Sequence, residues 1–372
     1  MNARRNAYLD GLLDGRNRLS RVGLDACHGK DRYMRKVLIR CGLVALSLLP
    51  AVANADPAVL KLAFFSSDRS TTYLAAIKPF VEAVNAEGKG LVEIVLYSGG
   101  VLGREIAQQP QVVLDGAADI AFVVPGYSPE RFPDNSAVEL SGLFQNAREG
   151  TLVYTRLLAQ NALRGYKDFV VIGAYVTEPA AIHSRTPINS IEDLKGQKIR
   201  VNSLGEAASL EKLGALPIRM EIVRIAGAIS AGSLDGAAVS NTPLSDYGIK
   251  RVATHHYFLG TSGSPLALVM NRKSFESLPQ RARDIIAKYS GEWAAAQFIE
   301  SYDRSDRIAL EQLKSDPKRI LVYPSSADLD RSETASKSAI ADWLELGPHN
   351  HALLRMVESE LTLLRSASGA SQ

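Results

Sequence analysis

Pro187-Ile-Asn-Ser-Ile-Glu-Asp-Leu-Lys-Gly-Gln-Lys-Ile-Arg-Val201 holds a turn, a stop and a strand in close succession. Ser190 is placed to cap a short helical turn, with Asp193 as its capping-box acid. Gly196 ends the turn, and a strand begins at Lys198. Side chains alternate along a strand, so Lys198 and Arg200 share a face opposite Ile199 and Val201. Arg200 therefore emerges at the carboxyl end of a strand, where open α/β sheets bind their ligands. A guanidinium there offers two-pronged recognition of a carboxylate. On its own, an arginine in such a place is more often solvated or salt-bridged.

Working outward, short apolar runs alternate with helical patterns, which argues for α/β units. The runs predict strands at Val59–Phe65, Val92–Tyr97, Asp119–Val124, Phe169–Val176, Lys198–Val201, Gly236–Ser240 and Leu266–Asn271. Thr72–Ala86 repeats Tyr73, Ile77, Phe80, Val81 and Val84 on one helical face, and Ile106–Asp115 and Ala147–Leu163 behave similarly. From Pro279 the helical pattern runs to Leu313, with Ser277 as its cap and Pro279 in its first turn. Such a helix would span about 50 Å, enough to brace two lobes.

The N-terminus reads as export machinery. Met34-Arg35-Lys36 is a basic start, Val37 to Val52 an apolar core, and Ala53-Asn54-Ala55 a small-residue cleavage site before Asp56. The core is broken by Arg40 and Pro50 and is too short to span a membrane. Arg40 also argues against lipid attachment at Cys41. We expect a signal peptide at 34–55, cleaved after Ala55 for delivery to the periplasm. Residues 1–33 are expected to be a mis-annotated extension.

That boundary changes the composition. Residues 1–55 hold ten of the 43 Lys+Arg and four of the 40 Asp+Glu, leaving 33 basic and 36 acidic residues and a net charge of −3. No case for nucleic-acid binding survives. Both cysteines, Cys27 and Cys41, fall in the removed part, so the mature chain has no thiol chemistry and no disulfide. The remaining 317 residues exceed what one core usually serves, so two lobes are expected.

Catalytic patterns are absent from the sequence. The histidines lack metal-ligand spacing, and adjacent His255 and His256 read as surface residues with diverging side chains. Ser98-Gly99-Gly100 is not a nucleophile elbow, and no Gly-rich phosphate loop occurs. We assign no catalytic residue, metal or cofactor.

The stretch ending at Arg200 resembles the signature of the solute-binding proteins of tripartite ATP-independent periplasmic (TRAP) transporters. Tyr97-Ser-Gly-Gly-Val-Leu-Gly103, Val113-Leu-Asp-Gly-Ala-Ala-Asp-Ile120 and Gly126-Tyr-Ser-Pro-Glu-Arg-Phe-Pro133 resemble further family segments in order, as do Gly214-Ala-Leu-Pro217 and Leu234-Asp-Gly236. The resemblance implies a two-lobed, type II-like periplasmic-binding-protein fold that closes on its ligand through hinge strands under a long helix. Its expected lobes are 56–177 with about 266–300, and 178–265 with about 301–372. It implies capture of a small carboxylate for membrane permease subunits, with Arg200 as the carboxylate clamp. Asn241, Tyr127, Ser66 and Ser203 fall near its other cleft positions. An accessory protein feeding a receptor, or an enzyme on the same scaffold, would share this fold. No feature requires a dimer.

Two departures bear on the ligand. Ala180 stands where sialic-acid binders carry a second arginine, and Arg224 replaces an acidic residue of the family pattern. Sialic acid is thereby disfavoured and a smaller mono- or dicarboxylate favoured; Arg224 is expected to face solvent.

Overall fold

The apolar runs become the inner strands of two separate sheets. The computed structural model describes residues 56–369; the expected extension and signal peptide lie outside the described residues. The first sheet holds β1 (Ala58–Ala63), β2 (Val92–Tyr97), β3 (Ile120–Val123), β4 (Phe169–Val176) and β10 (Pro265–Asn271), in the order β2-β1-β3-β10-β4. Its β1, β2 and β3 run parallel, and β10 pairs antiparallel with β3 and β4. The sequence Ile-Ala-Phe-Val of β3 is buried throughout, as a strand covered on both faces requires.

The second sheet holds β5 (Ala181–Ser184), β6 (Lys198–Val201), β7 (Leu216–Arg219), β8 (Gly236–Val239), β9 (His255–Tyr257) and β11 (Ile320–Val322), in the order β11-β9-β5-β8-β6-β7. Strands β5, β7, β9 and β11 were not among the sequence expectations. Each has only three or four residues. Apolar clusters cover both faces of each sheet. This is the two-lobed α/β architecture expected.

The chain crosses between the sheets at 177–180 and again at 258–264. The crossings are tied side by side: Thr177 N donates to Ser264 O (3.1 Å), and Thr261 N donates to Ala180 O (2.9 Å). A helical crossing lies beside them. The expected helix from Pro279 to Leu313 is broken in two, into α4 (Gln280–Lys288) and α5 (Glu292–Ser315), after α1 (Lys78–Glu87), α2 (Ala147–Ala159) and α3 (Leu204–Lys212). Gly291 adopts φ of 62° and gives its N–H to Ile172 O of β4 (2.8 Å), which stops helical continuation. Ser277 bonds back to Ser274 O, and Pro279 itself is the N-cap.

Helix α5 still braces both lobes. Phe298 and Tyr302 lie in the first core, where Phe298 stacks on Tyr175 at 4.6 Å between centroids. Leu313 lies in the second. Helix α6 (Ser326–Glu345) packs on α3, opened by a full capping box of Ser325 and Asp328. Helix α7 (Pro348–Gly369) turns back to the first lobe. Its Leu353, Val357 and Leu361 join Val153 and Leu157 of α2, and Glu360 pairs with Arg156 at 3.0 Å. The expectation that all of 301–372 belongs to the second lobe is corrected here, because the apolar face of α7 matches that of α2.

One histidine expectation also changes. His255 is partly exposed, but His256 is fully buried because β9 lies between β11 and β5. Its Nδ1 meets Nδ1 of buried His183 at 2.7 Å, while His183 Nε2 lies 3.0 Å from Val239 O.

Candidate functional site

Strand β6 carries Arg200 into the space between the lobes. Ile199 and Val201 anchor the strand in the second core. The alternate face takes Arg200 inward, leaving the side chain 1% exposed. Its nitrogens donate to Met220 O (2.8 Å), Ala238 O (3.2 Å), Tyr127 Oη (2.6 Å) and Asn202 Oδ1 (3.2 Å). All four acceptors are neutral. No carboxylate bonds this buried cation directly; the buried Glu206 carboxylate acts on it only through space, and a buried charge without a bonded counter-ion is costly.

Tyr127 reaches Arg200 from the other lobe. It ends the turn Pro125–Tyr127 that follows β3, and its oxygen also accepts Ile222 N (2.9 Å). Burial raises the Tyr127 pKa, and the neighbouring guanidinium opposes that rise. Further bonds join the lobes around this contact. Arg219 donates to Gly126 O (3.0 Å), Ala107 N donates to Glu221 Oε1 (3.0 Å), and Thr71 N donates to Asp246 Oδ2 (2.8 Å). The structure is thus of the closed arrangement.

Behind Arg200 lies a buried polar cluster. Glu206 in the first turn of α3 accepts Asn202 N (2.9 Å) and Thr261 Oγ1 (2.7 Å). Glu139, from the first lobe, is 4% exposed, and one of its oxygens has no partner. Burial, and then the charge of Glu206, pushes the Glu139 pKa up to about 8. Asn202 Nδ2 is likewise buried and unpartnered. The closed cavity in front of Arg200 measures about 50 Å³ and is walled by both lobes, including Tyr127, Asn202, Phe122 and Tyr302.

A larger groove of about 790 Å³ runs along the outer edge of β4. Its arginines are already engaged: Arg156 with Glu360, Arg164 with Asp134, and Arg272 with the carbonyls of Lys167 and Phe169. The chemistry therefore points to the interlobe cavity.

Residues 62–345 match the bacterial extracellular solute-binding protein, family 7. The chain belongs to this family. This solute-binding protein resembles the crystal structure of a marine metagenome TRAP solute-binding protein specific for aromatic acid ligands, from an unidentified microbe. With metahydroxyphenylacetate bound, that chain is 26% identical, with a TM-score of 0.74 over 82% of this chain and 98% of that one. With 3-hydroxybenzoate bound, the values are 25% and 0.74 over 83% and 99%. Among curated relatives, the sialic acid-binding periplasmic protein SiaP of Vibrio cholerae is 25% identical over 264 residues, 66% of this chain and 77% of that one. The TRAP solute-binding resemblance read from the motifs thus extends across the two-lobed body.

Of the five residues singled out from the sequence of this solute-binding protein, Arg200 and Tyr127 line the cavity together. The other three stand aside from it. Ser203 is the N-cap of α3, its hydroxyl accepting Glu206 N (3.2 Å). Asn241 donates to Asp306 of α5 (3.2 Å), so it ties the second lobe to the bracing helix. Ser66 hydrogen-bonds Tyr247, which does line the cavity. Sequence reasoning missed Asn202, Ser240 and Tyr247. For Asn202 a signal existed: two residues beyond Arg200, it extends the same face. Arg224 is exposed as expected, but it also pairs with Glu105 across the lobes at 3.4 Å.

Among the described residues, no helix is long and apolar enough to cross a membrane, and no group of three or more potential ligands could hold a metal.

Proposed function

We propose that this solute-binding protein takes the carboxylate of a small organic acid on Arg200 and delivers the closed complex to the permease subunits of a TRAP transporter. One observation carries the reading: a fully buried guanidinium that meets only neutral acceptors and faces a closed cavity. A ligand carboxylate would give Arg200 a directly bonded anion, linking the second lobe through Arg200 to the first through Tyr127. Closure then follows, because a ligand that touches both lobes binds the closed state better than the open one. The marine relatives with aromatic acids bound support a carboxylate ligand. Export through the signal at 34–55 to the periplasm fits delivery to a membrane partner. The role is binding without chemistry.

Calorimetry on wild type, Arg200→Ala and Arg200→Lys with a panel of organic acids tests the reading. Wild type is expected to bind, and both variants to lose about 100-fold or more in affinity, since a lysine cannot reproduce the planar fork. Full affinity in Arg200→Ala would remove Arg200 from the site.

A further inference from the structure

The cavity has one charged end and no second one. Among the residues that line it, Arg200 alone is charged. Its apolar lining is Phe65, Phe122, Val124 and Leu266 from the first lobe, with Ile222 and Val239 from the second. Phe65 and Phe122 lie 6.2 Å apart between ring centroids and form one continuous apolar surface.

The lining hydroxyls are largely spent within the protein. Tyr302 bonds Ser240 (2.8 Å), and Tyr247 bonds Ser66. Thr177 Oγ1 donates to Glu178 O (3.2 Å) and accepts Ser264 N (2.9 Å). Tyr127 already accepts two N–H groups. Besides the Tyr127 proton and the unpartnered Asn202 Nδ2, both on residues bonded to Arg200, the hydroxyls of Thr72 and Ser264 remain to meet a polar group on a ligand.

A second carboxylate placed in this space would lose its water against phenyl and aliphatic walls, with no cation to receive it. The hydroxyls of a sugar acid would lose water with few partners to replace it. Building on the carboxylate reading above, we infer that the site selects monocarboxylates with an apolar body and rejects dicarboxylates and polyhydroxylated acids.

The test is a calorimetric comparison on the purified wild-type protein. The apolar arm is 3-methylbutanoate, phenylacetate and 3-hydroxybenzoate; the polar arm is succinate, malate and glucuronate. The best apolar monocarboxylate is expected to bind about 100-fold or more tightly than any polar acid, as when a ligand's polar groups are left unpaired. A dicarboxylate or glucuronate within about tenfold of the best monocarboxylate overturns the selectivity and leaves the role of Arg200 standing. Failure of every acid in both arms overturns the carboxylate reading, and the selectivity with it.

Discussion

The Arg200 guanidinium and the Tyr127 phenol meet from opposite lobes, Nη2 donating to Oη over 2.6 Å. The phenol oxygen takes a second N–H from Ile222, so its own proton is left for a third partner. A ligand carboxylate beside Arg200 would find that donor on the facing lobe, which couples recognition to closure.

Tyr127→Phe removes that donor and both acceptor contacts while keeping the ring. Affinity is expected to fall about 5- to 20-fold, the size of one or two hydrogen bonds. Calorimetry measures the loss, and circular dichroism should show an unchanged fold. Wild-type affinity would mean that the phenol orders Arg200 without serving the ligand.

Gly126→Ala tests how tightly the lobes meet. A Cβ there would lie 2.7 Å from Glu139 Oε1 and 2.8 Å from Asn202 Nδ2. Asn202 belongs to the other lobe, so the methyl group acts as a wedge in the closed state. Ligand affinity is expected to drop by about tenfold or more, with a smaller change in the melting temperature of the ligand-free protein. Equal losses of both would show that the clash disrupts the first lobe itself.

One buried carboxyl and two buried imidazoles set opposing slopes in a pH profile. Glu139 has its pKa raised from 4.5 to about 8 by burial and by Glu206. The native state keeps a proton that the unfolded chain releases above 4.5, so this group's contribution falls as pH rises towards 8. His183 and His256 have theirs lowered from 6.5 to about 3 and about 4, chiefly by burial. The unfolded chain takes protons there first, so their contribution falls as pH drops below 6.5. Denaturant unfolding from pH 4 to 8 should show Glu139→Gln removing the decline between 4.5 and 8 while keeping the histidine-driven loss below 6.5. Parallel curves for wild type and variant would refute the assignment.

Arg224→Ala should change little. The pair with Glu105 is 3.4 Å long and both side chains are more than 60% exposed, at 63% and 62%. Solvent screening leaves such pairs about 0–1 kcal/mol, so affinity is expected within about threefold of wild type. A larger loss would mark the pair as a latch between the lobes.

Legibility in the sequence followed the reach of local rules. β2, β4 and β6 stand at the residues expected of them, because their apolar runs and flanking turns are self-contained. The broken helix at Gly291 was not visible, since its cause is a hydrogen bond to Ile172, 119 positions away in the chain. His256 looked like a surface residue until β9 was placed inside a sheet. The inward placement of Arg200 on β6 was legible through strand alternation. Ser203 serves as a cap and Asn241 contacts the bracing helix, roles that look the same as a cleft residue in a polar turn.

The sequence alone determined the α/β class, the two lobes and the inward-facing arginine, all of which depend on periodicity, length and residue chemistry. Only the tertiary structure decided that no carboxylate bonds Arg200 directly, that Tyr127 meets it, and that apolar side chains make up much of the cavity lining. Those facts depend on which segments, far apart in the chain, come together when the lobes close, and no local pattern encodes that.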